Sequence, residues 1–349
     1  MRFLLAPLSW IYYLIVEIRN WLFDEGVLRS WSVSVPTICV GNLVVGGTGK
    51  TPHVEYLVRK LSPEFKVAVL SRGYKRKTSG FVLADEMSTA VELGDEMLQL
   101  HQHFPDVPVA VCEHRVRGIN LLLKSVPDID VVILDDGMQH RHLKVGFTIL
   151  LTAYDDLYVN DHVLPLGRLR EPQSASLRAN AIIVTKCPEM QPIERRVVAS
   201  EIKITPFQSL YFSTLEYGEL YPVFPDYCKP LQLDEKKHRP LILTGIVNNK
   251  PLEDELQKRG IDYKLMAFAD HHWYTKLDIK TIEETFANSY LDCIITTEKD
   301  AARLKSCTFL SDKIKRVLYA VPIQVKINSN EDNLIKQISL YVTENNRNR

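Results

Sequence analysis

A glycine-rich stretch over residues 40–52, VGNLVVGGTGKTP, constrains the fold of this chain more than any other feature of its sequence. It follows an apolar run at 37–40 and precedes a helix-like segment near Thr51, which is the strand–loop–helix context of a P-loop. Its glycines let the backbone turn tightly so that successive N–H groups face phosphate oxygens, and the positive end of the helix dipole adds to this attraction. The stretch therefore predicts a nucleotide phosphate site.

Individual residues of this loop have different predicted roles. Lys50 is expected to neutralise the β- and γ-phosphates, and the Thr51 hydroxyl is expected to bind Mg²⁺. The loop is a variant, because Val44 stands where the strict pattern has glycine and Val45 stands where deviant P-loop ATPases have a second lysine. A glycine-rich turn without nucleotide is the alternative. We expect nucleotide contacts from eight consecutive residues: Val44, Val45, Gly46, Gly47, Thr48, Gly49, Lys50 and Thr51.

Short apolar runs alternate with longer helical stretches along most of the chain. The runs are rich in β-branched residues and nearly continuous, as expected of strands that are covered on both faces. This alternation is typical of an α/β fold with a parallel sheet. The strands predicted in the first part of the chain lie at 37–40, 67–71, 109–112, 130–134, 147–151 and 181–185.

The pattern changes near residue 206, and this change divides the chain. Residues 210–229 are rich in tyrosine and phenylalanine with interspersed glycine and proline, which favours a hairpin or linker. The alternation resumes after residue 239, and a length of 349 residues fits about two domains. We predict an N-terminal membrane-associated helix over 1–30, a P-loop core domain over 31–206, a β-rich connector over 207–237 and a smaller α/β lobe over 238–345.

Charge and cysteine content exclude several classes of protein. Lys plus Arg and Asp plus Glu both number 43, so the chain lacks the basicity of a dedicated nucleic-acid binder, and no nucleic-acid partner is expected. Six cysteines without a CxxC pair argue against a zinc ribbon or a disulfide framework. No obligate protein partner is predicted.

The N-terminal segment is apolar and aromatic. Its apolar run at 3–16 is shorter than the roughly 20 residues that span a bilayer, and no small-residue cleavage site follows it. Trp10, Tyr12, Tyr13 and Trp21 are residues favoured at the lipid–water boundary. An interfacial helix and a helix docked on the core both remain open.

Two acidic residues, Asp135 and Asp136, follow the apolar run at 130–134. A carboxylate at the end of a buried strand beside a P-loop strand is the Walker-B arrangement that holds Mg²⁺. Two adjacent aspartates need a cation to offset their repulsion and desolvation if both lie deep. A polar turn at the end of the strand is the alternative.

Two further polar clusters have both a structural and a functional interpretation. Asp95 follows Gly94 at the start of a predicted helix, where it is either a capping acid or a general base. Asp270, His271 and His272 form either a surface loop or part of a site. A zinc site is not indicated, because no third nitrogen or sulfur ligand follows at the spacing that zinc sites have. Arginine binds phosphate in a bidentate manner, and arginines lie beside several predicted loops: Arg72, Arg115, Arg117, Arg141, Arg168 and Arg170.

Taken in order, seven motifs of this chain resemble those of the tetraacyldisaccharide 4'-kinase family, the membrane-associated kinases of lipid A biosynthesis in Gram-negative bacteria. The resemblance covers nearly the whole chain. Its motifs are VGNLVVGGTGKTP, SRGY at 71–74, GDE at 94–96, LDDGMQHR at 134–141, LPLGRLREP at 164–172, FADHH at 268–272 and TTEKDA at 296–301.

The resemblance implies an activity and a location. The chain would transfer the γ-phosphoryl group of ATP, with Mg²⁺, to the 4'-hydroxyl of a tetraacylated glucosamine disaccharide 1-phosphate, forming lipid IVA. It would lie as a peripheral or monotopic protein on the cytoplasmic face of the inner membrane, where its glycolipid substrate resides.

The resemblance also implies roles for individual residues. Asp95 matches the catalytic base, His271 matches its histidine partner and Lys50 joins them as a catalytic residue. The metal positions are Thr51, Asp135 and Asp136. The polar positions that line the substrate site are Arg115, Gln139, His140, Arg170 and Glu171. The departures are Met97, where the family often has proline, and His272, which is not always histidine there.

Two other functions are compatible with parts of the sequence. The doubled glycine favours a P-loop ATPase or GTPase that acts as a switch or partitioning module without a sugar acceptor, although Val45 in place of the extra lysine disfavours it. A membrane-surface binding protein with a vestigial nucleotide site is the other alternative, and the intact Lys50, Thr51, Asp135 and Asp136 argue against it.

Overall fold

The computed structural model describes residues 5–233, 238–246, 249–269 and 272–347 of the chain. Its contacts divide the chain into two units, one formed by Met1–Leu215 with Val325–Arg349 and the other by Glu216–Gln324. The strands are β1 Thr37–Asn42, β2 Val67–Ser71, β3 Val82–Leu83, β4 Val109–Val111, β5 Val131–Asp135, β6 Phe147–Ala153, β7 Ala181–Thr185, β8 Ser209–Tyr217, β9 Tyr221–Pro222, β10 Pro240–Thr244, β11 Lys264–Ala267, β12 Cys293–Thr297, β13 Leu318–Val321 and β14 Ile323–Ile327. The helices are α1 Ala6–Asp24, α2 Lys50–Leu61, α3 Ala90–Leu93, α4 Asp95–His103, α5 Arg115–Ser125, α6 Pro192–Ile202, α7 Lys250–Lys258, α8 Lys276–Ala287, α9 Glu298–Lys305, α10 Asp312–Lys315 and α11 Glu331–Arg347.

A nine-stranded sheet forms the centre of the first unit, in the order β14-β8-β7-β6-β1-β5-β2-β4-β3. The strands from β8 to β4 pair in parallel, and the short β3 is antiparallel to its neighbour β4. Side chains of β1 alternate between two apolar cores, with Cys39 in one and Ile38 and Val40 in the other. The sheet is therefore covered on both faces, which explains why its strands read as continuous apolar runs.

The sequence-based prediction of this sheet is confirmed. Each of the six strands predicted between residues 37 and 185 is present, with ends that differ from the prediction by at most two residues. In the register of β1 and β5, Val40 lies opposite Asp135, so the P-loop and the acidic pair leave the sheet at the same edge. Parallel strands bring their carboxyl ends together in this way, and ligands of α/β sheets bind there.

The C-terminal end of the chain differs from the predicted lobe over 238–345. Residues from Val325 onward belong to the first unit, because β14 joins the large sheet beside β8 and α11 packs on its core. Leu334, Ile338 and Val342 of α11 are fully buried in the same apolar cluster as α2. Burying this apolar stripe against the larger core removes it from water.

The predicted connector over 207–237 does not form a hairpin within its described residues. β8 pairs in parallel with β7 in the large sheet, whereas β9 pairs antiparallel with β13 in a second sheet. The aromatic residues of this segment thus serve two separate cores, among them Tyr211 in the first and Tyr221 in the second.

The second unit is a smaller α/β body, as the sequence predicts. Its five-stranded sheet has the order β11-β10-β12-β13-β9 and is parallel apart from β9. Leu241 and Ile294 at the centre of this sheet pack against Ile279 and Ile282 of α8.

The N-terminal helix α1 faces the first unit with a narrow stripe, formed by Ser9, Val16, Asn20 and Phe23. This spacing of seven, four and three residues places the four side chains on one side of a helix. Most of the large apolar side chains of α1 are instead exposed: Leu8, Trp10, Ile11, Tyr13, Leu14, Ile15, Ile18 and Trp21. Among the described residues, no helix has the length and apolar character needed to cross a membrane.

Candidate active site

The P-loop lies where the sequence predicts it, between the end of β1 at Asn42 and the start of α2 at Lys50. Gly49 caps α2 in the left-handed conformation, with φ of 85°, which a residue with a Cβ rarely adopts. Its position directs the unpaired N–H groups of the first turn of α2 into the loop, and such a helix start attracts anions. The backbone geometry of the loop therefore fits the predicted phosphate site.

Side chains from neighbouring strands hold the outward carbonyl groups of the loop. Asn42 donates from Nδ2 to the Gly46 carbonyl at 3.3 Å and to the Thr48 hydroxyl at 2.9 Å. Thr185, the last residue of β7, donates to the Thr48 carbonyl at 2.9 Å, and Lys186 donates to the Gly47 carbonyl at 2.5 Å. Strand ends thus hold residues 46–48 of the loop, and the sequence pattern predicts no role for Asn42, Thr185 or Lys186.

His53, in the first turns of α2, bonds to Gly49 of the loop. Its side chain is 1% exposed, and its Nδ1 lies 2.7 Å from the Gly49 carbonyl, so this nitrogen carries the proton. Nε2 then accepts the hydroxyl of Ser213 at 3.0 Å. Burial lowers the pKa of His53 to about 4, and the bond to Gly49 opposes this change only in part.

Lys50 extends toward the acidic pair. Its ammonium lies 3.3 Å from the Asn42 side-chain oxygen and 3.8 Å from a carboxylate oxygen of Asp136. Lys50, which is predicted to bind phosphate, and Asp136, which is predicted to bind the metal, are therefore neighbours.

Asp135 is a buried carboxylate with an unsatisfied oxygen. It is 3% exposed, its Oδ2 lies 3.4 Å from the Ser71 hydroxyl, and its Oδ1 has no hydrogen-bond partner among the described residues. Burial raises the pKa of Asp135 to about 7, the charges of Glu96 and Asp136 add to this, and Lys50 and Arg115 oppose it. A buried carboxylate oxygen without a donor is suited to a cation.

Asp136 has the opposite electrostatic character. Burial would raise its pKa, but two hydrogen bonds from Arg170, at 2.9 and 3.1 Å, and the charge of Lys50 outweigh burial, so the pKa is lowered. Its backbone is left-handed, with φ of 50°. Asp136 therefore stays ionised, whereas a bound cation would favour the ionised form of Asp135.

The described residues contain no group of three His, Cys, Asp or Glu side chains arranged to hold a metal ion. The residues predicted to bind the metal are the two aspartates and Thr51, which is buried. Mg²⁺ characteristically takes one or two carboxylates and completes its shell with water and substrate phosphate. The residues present therefore fit Mg²⁺ bound together with a nucleotide.

Arg170 and Gln139, two of the residues predicted to line the substrate site, converge on Asn42. Besides Asp136, the Arg170 guanidinium contacts the carbonyl and the side-chain oxygen of Asn42. Gln139 donates to the same carbonyl at 2.9 Å. Both side chains are half-buried beside the loop, so each reaches the edge of the sheet where substrates bind.

Of the other predicted substrate residues, Arg115 and Glu171 are buried, whereas His140 is half-buried. The buried Arg115 side chain donates to the Cys112 carbonyl at 2.8 Å, and its backbone N–H donates to Nε2 of His140. Burial and the charge of Arg115 lower the pKa of His140 to about 4. Glu171 is 1% exposed and is paired with Arg178 at 2.5 Å. These residues brace the loops that present Asp136 and Arg170.

The helix α1 contacts this braced region through its polar side. The Tyr12 hydroxyl donates to the Arg170 carbonyl at 2.9 Å, and Arg19 donates to the Gln139 carbonyl at 2.7 Å. Ser9 donates to the Val163 carbonyl at 2.7 Å. The docked and interfacial alternatives are therefore not exclusive, because α1 docks with one side and exposes its apolar residues on the other.

Asp95 is the first residue of α4 and is half-buried. The preceding Gly94 has φ of 83°, and a Cβ there would lie 2.7 Å from the Tyr74 carbonyl oxygen, so this turn requires glycine. The charge of the next residue, Glu96, raises the pKa of Asp135, so the start of α4 lies close to the acidic pair. Glu96 belongs to the GDE motif, but its position in the sequence predicts no role for it.

His271, predicted as the partner of Asp95, lies outside the described residues, as does Asp270. The next residue, His272, bonds to Asp278 at 2.9 Å and stacks on Phe268 with ring centroids 4.7 Å apart. The pairing of Asp95 with His271 stays a prediction.

Comparison with known proteins relates the whole chain to one group. The family model for tetraacyldisaccharide-1-P 4'-kinase matches residues 1–342. The tetraacyldisaccharide 4'-kinase of Bacteroides thetaiotaomicron is 46% identical over 99% of this chain and 94% of its own length. That of Flavobacterium johnsoniae is 43% identical over 99% and 98%. The crystal structure of LpxK from Aquifex aeolicus in complex with ATP superposes with a TM-score of 0.78 and 30% identity, covering 98% of this chain and 99% of that one.

Proposed function

We propose that this chain, which belongs to the tetraacyldisaccharide-1-P 4'-kinase family, transfers the γ-phosphoryl group of ATP to the 4'-hydroxyl of a tetraacylated glucosamine disaccharide 1-phosphate. The product is lipid IVA, an intermediate of lipid A biosynthesis. The observation that carries this proposal is the convergence of Lys50, Asp136 and Arg170 at the edge of the sheet where the P-loop opens. In that place a phosphate ligand meets a cationic side chain and a metal-binding carboxylate.

The nucleotide is bound by the loop over residues 44–51. Backbone N–H groups at the start of α2 contact phosphate oxygens, and the Lys50 ammonium neutralises the β- and γ-phosphates. The restraint of the loop by Asn42, Thr185 and Lys186 supports this role, because bonds to its carbonyl groups hold the loop in one shape. Such preorganisation lowers the cost of binding and of catalysis.

Thr51, Asp135 and Asp136 would hold Mg²⁺. When bound, the ion supplies neutralisation of the charge that develops on the phosphoryl group and on the leaving ADP. The unsatisfied Asp135 oxygen supports this assignment. Arg170, through its two bonds to Asp136, keeps that carboxylate ionised and fixed in orientation.

Asp95 acts as the general base on the acceptor. The acceptor oxygen forms a bond to the γ-phosphorus while the bond from that phosphorus to the bridging oxygen of ADP breaks, and the hydroxyl proton passes to Asp95. Asp95 is the first residue of α4 and is half-buried. We assign His271 as the residue that orients Asp95 and shares the proton.

The acceptor site is formed by the polar residues around Asn42. Arg170 and Gln139 are accessible enough to contact the sugar, while Arg115, His140 and Glu171 hold the loops that carry them. We propose that one of the two arginines, Arg170 or Arg115, contacts the negatively charged phosphate of the substrate.

The membrane surface is the place of the reaction. The exposed apolar face of α1 supports this, because Trp10, Ile15 and Trp21 would lie at the lipid–water boundary while the polar side of α1 keeps its bonds to the protein. We propose that the chain is a peripheral or monotopic protein of the cytoplasmic face of the inner membrane, where it meets an acylated substrate without extracting its chains.

An acceptor assay tests the proposal. The full chain is incubated with ATP, Mg²⁺ and tetraacyldisaccharide 1-phosphate in mixed micelles, and mass spectrometry is expected to show the addition of one phosphoryl group to the lipid. Release of phosphate without a phosphorylated lipid would refute the kinase and favour the ATPase or GTPase switch. Lys50→Ala is the control, because it removes the phosphate cation.

A further inference from the structure

The two helices that begin at the site, α2 and α4, are bonded to each other about one turn after their first residues. Glu55 of α2 is 5% exposed, and both of its carboxylate oxygens accept bonds from α4. Gln99 donates from Nε2 to one oxygen at 3.1 Å, and His103 donates from Nδ1 to the other at 3.1 Å. A single buried side chain of α2 thus contacts two successive turns of α4.

The helical spacing of these residues relates the contact to the residues that are predicted to take part in the reaction. Residues four apart lie on the same side of a helix, one turn from each other. Glu55 is four residues after Thr51, and Gln99 is four residues after Asp95. The side of α2 that carries Thr51 is therefore bonded to the side of α4 that carries Asp95.

A second contact indicates that the two helices run in the same direction. The Arg59 guanidinium lies over the Phe104 ring, 5.8 Å from its centroid. Arg59 lies one turn after Glu55 in α2, and its partner Phe104, which caps α4, likewise follows Gln99. The two helices therefore begin at the same end of this contact, one turn, about 5.4 Å, before Glu55 and Gln99.

The buried carboxylate belongs to helices that otherwise contribute apolar side chains to one core. Val54 and Leu57 of α2 share a buried cluster with Met97 and Leu100 of α4. Apolar packing is not directional, so it restricts the sliding of one helix along the other less than hydrogen bonds do. Burying a carboxylate costs free energy unless it is hydrogen-bonded, and the bonds from α4 offset this cost in one register. Glu55 therefore sets the height of α4 along α2.

We propose that Glu55 is a positioning residue for phosphoryl transfer, which holds the start of α4 at a fixed height relative to the P-loop. Asp95 then lies where it can take the proton of an acceptor hydroxyl that attacks the γ-phosphorus. The inference rests on the proposed function and adds to it a buried residue that acts through Asp95. Placement of this kind matters for catalysis, because a displacement of about 1 Å can reduce the rate about 10²-fold.

The kinetics of three variants of the full chain in the acceptor assay test this role. Glu55→Leu removes both bonds and fills the buried space, whereas Glu55→Gln keeps an oxygen that can accept from Gln99. Glu331→Leu is the matched control, because Glu331 of α11 accepts from the Tyr56 hydroxyl at 2.9 Å and pairs with Lys60 at 3.0 Å. The control thus removes two bonds of α2 that lead to α11 and not to α4.

The readout is the division of the effect between kcat and the KM for ATP. We expect Glu55→Leu to lower kcat about 10²-fold with the KM for ATP at the wild-type value, and Glu55→Gln to recover most of kcat. Glu331→Leu should leave both constants unchanged. An unchanged kcat in Glu55→Leu, with or without a rise in KM, would overturn the proposal. A fall of the same size in Glu331→Leu would overturn it as well, since α2 would then act through its general stability.

A double variant shows whether Glu55 acts through Asp95. We expect Glu55→Leu to lower kcat little further once Asp95→Asn has removed the base, because the effects of residues that act as a unit are not additive. Losses that multiply in the double variant would overturn the proposal, because a residue with a merely structural role acts independently of the base.

A measurement without catalysis separates this inference from the kinase proposal. Deuterium uptake of a peptide over residues 95–103 is expected to rise in Glu55→Leu and to stay at the wild-type value in Glu331→Leu. A wild-type chain that phosphorylates no lipid would refute the kinase function, whereas equal uptake in Glu55→Leu and the wild type would overturn the positioning role. Gln99→Leu, measured in the same way, takes the place of Glu55→Leu if that variant does not fold.

Discussion

Acidification is expected to destabilise the first unit in part through the buried His53, one of two histidines among its described residues, with His140, whose pKa is lowered to about 4. The folded protein keeps this side chain neutral, with its proton on Nδ1 bonded to the Gly49 carbonyl and with Nε2 accepting from Ser213. A second proton on Nε2 would place a charge in the core and break the bond from Ser213. Folding therefore opposes protonation of His53.

The magnitude follows from the two pKa values. In the folded protein the pKa of His53 is about 4, lowered by burial, and in the unfolded chain it takes the ordinary value of about 6.5. Because the unfolded state binds the proton first, the stabilising contribution is fully present above pH 6.5 and is lost as the pH falls from 6.5 to 4. The loss amounts to about 3 kcal/mol, a large part of the stability of an ordinary domain.

Urea unfolding between pH 4 and 7.5 measures this effect in the wild type and in His53→Asn, whose amide keeps a donor toward Gly49 but does not titrate. Pulse labelling with deuterium, read on peptides from β1 and α2, restricts the measurement to the first unit. The free energy of unfolding of the wild type is expected to fall more steeply below pH 6.5 than that of the variant. The exposed His162 provides a control, since His162→Asn should leave the pH dependence unchanged. Parallel pH curves for the wild type and His53→Asn would refute the reasoning.

Three further predictions concern catalysis and membrane binding. Asp95→Asn should lower kcat by about 10² to 10⁴-fold with little change in ATP affinity, because a positioned base contributes by that factor; unchanged turnover in the acceptor assay would remove Asp95 from the mechanism. Lys50→Ala should abolish measurable ATP binding in calorimetry, and retained binding would show that the phosphates lie elsewhere. Trp10→Gln with Trp21→Gln should weaken sedimentation with anionic vesicles while ATP affinity stays at the wild-type value, because both side chains are exposed on α1; full sedimentation of this double variant would show that another surface binds the lipid.

The sequence predicted those parts of the fold that depend on local pattern. The strands around the site were predictable because a strand covered on both faces needs a continuous apolar run, and the P-loop because its glycines have no other common explanation. The acidic pair was found from its place directly after such a run. Lys50 and Asp136 lie close together because parallel strands end at one edge of a sheet.

The missing parts depend on contacts between distant segments. Asn42 and Lys186 are single polar residues at strand ends, and nothing near them in sequence shows that each bonds to the loop. The amphipathic pattern of α11 predicts a helix but not which core it covers, and it covers the first. Glu96 was hidden in the GDE motif beside Asp95, and its closeness to Asp135 depends on how α4 is placed.

The bonds of Tyr12 and Arg19 to the carbonyls of Arg170 and Gln139 have a mechanical consequence. A helix lying in a bilayer surface with these bonds intact sets the height of the phosphate loop above the lipid headgroups. Sliding α1 by one turn, about 5.4 Å, would lift or lower Asp135 and Asp136 by a comparable distance relative to a sugar that is anchored by its own acyl chains. In the membrane-bound arrangement that we propose, α1 would therefore set the distance between the site and its acceptor.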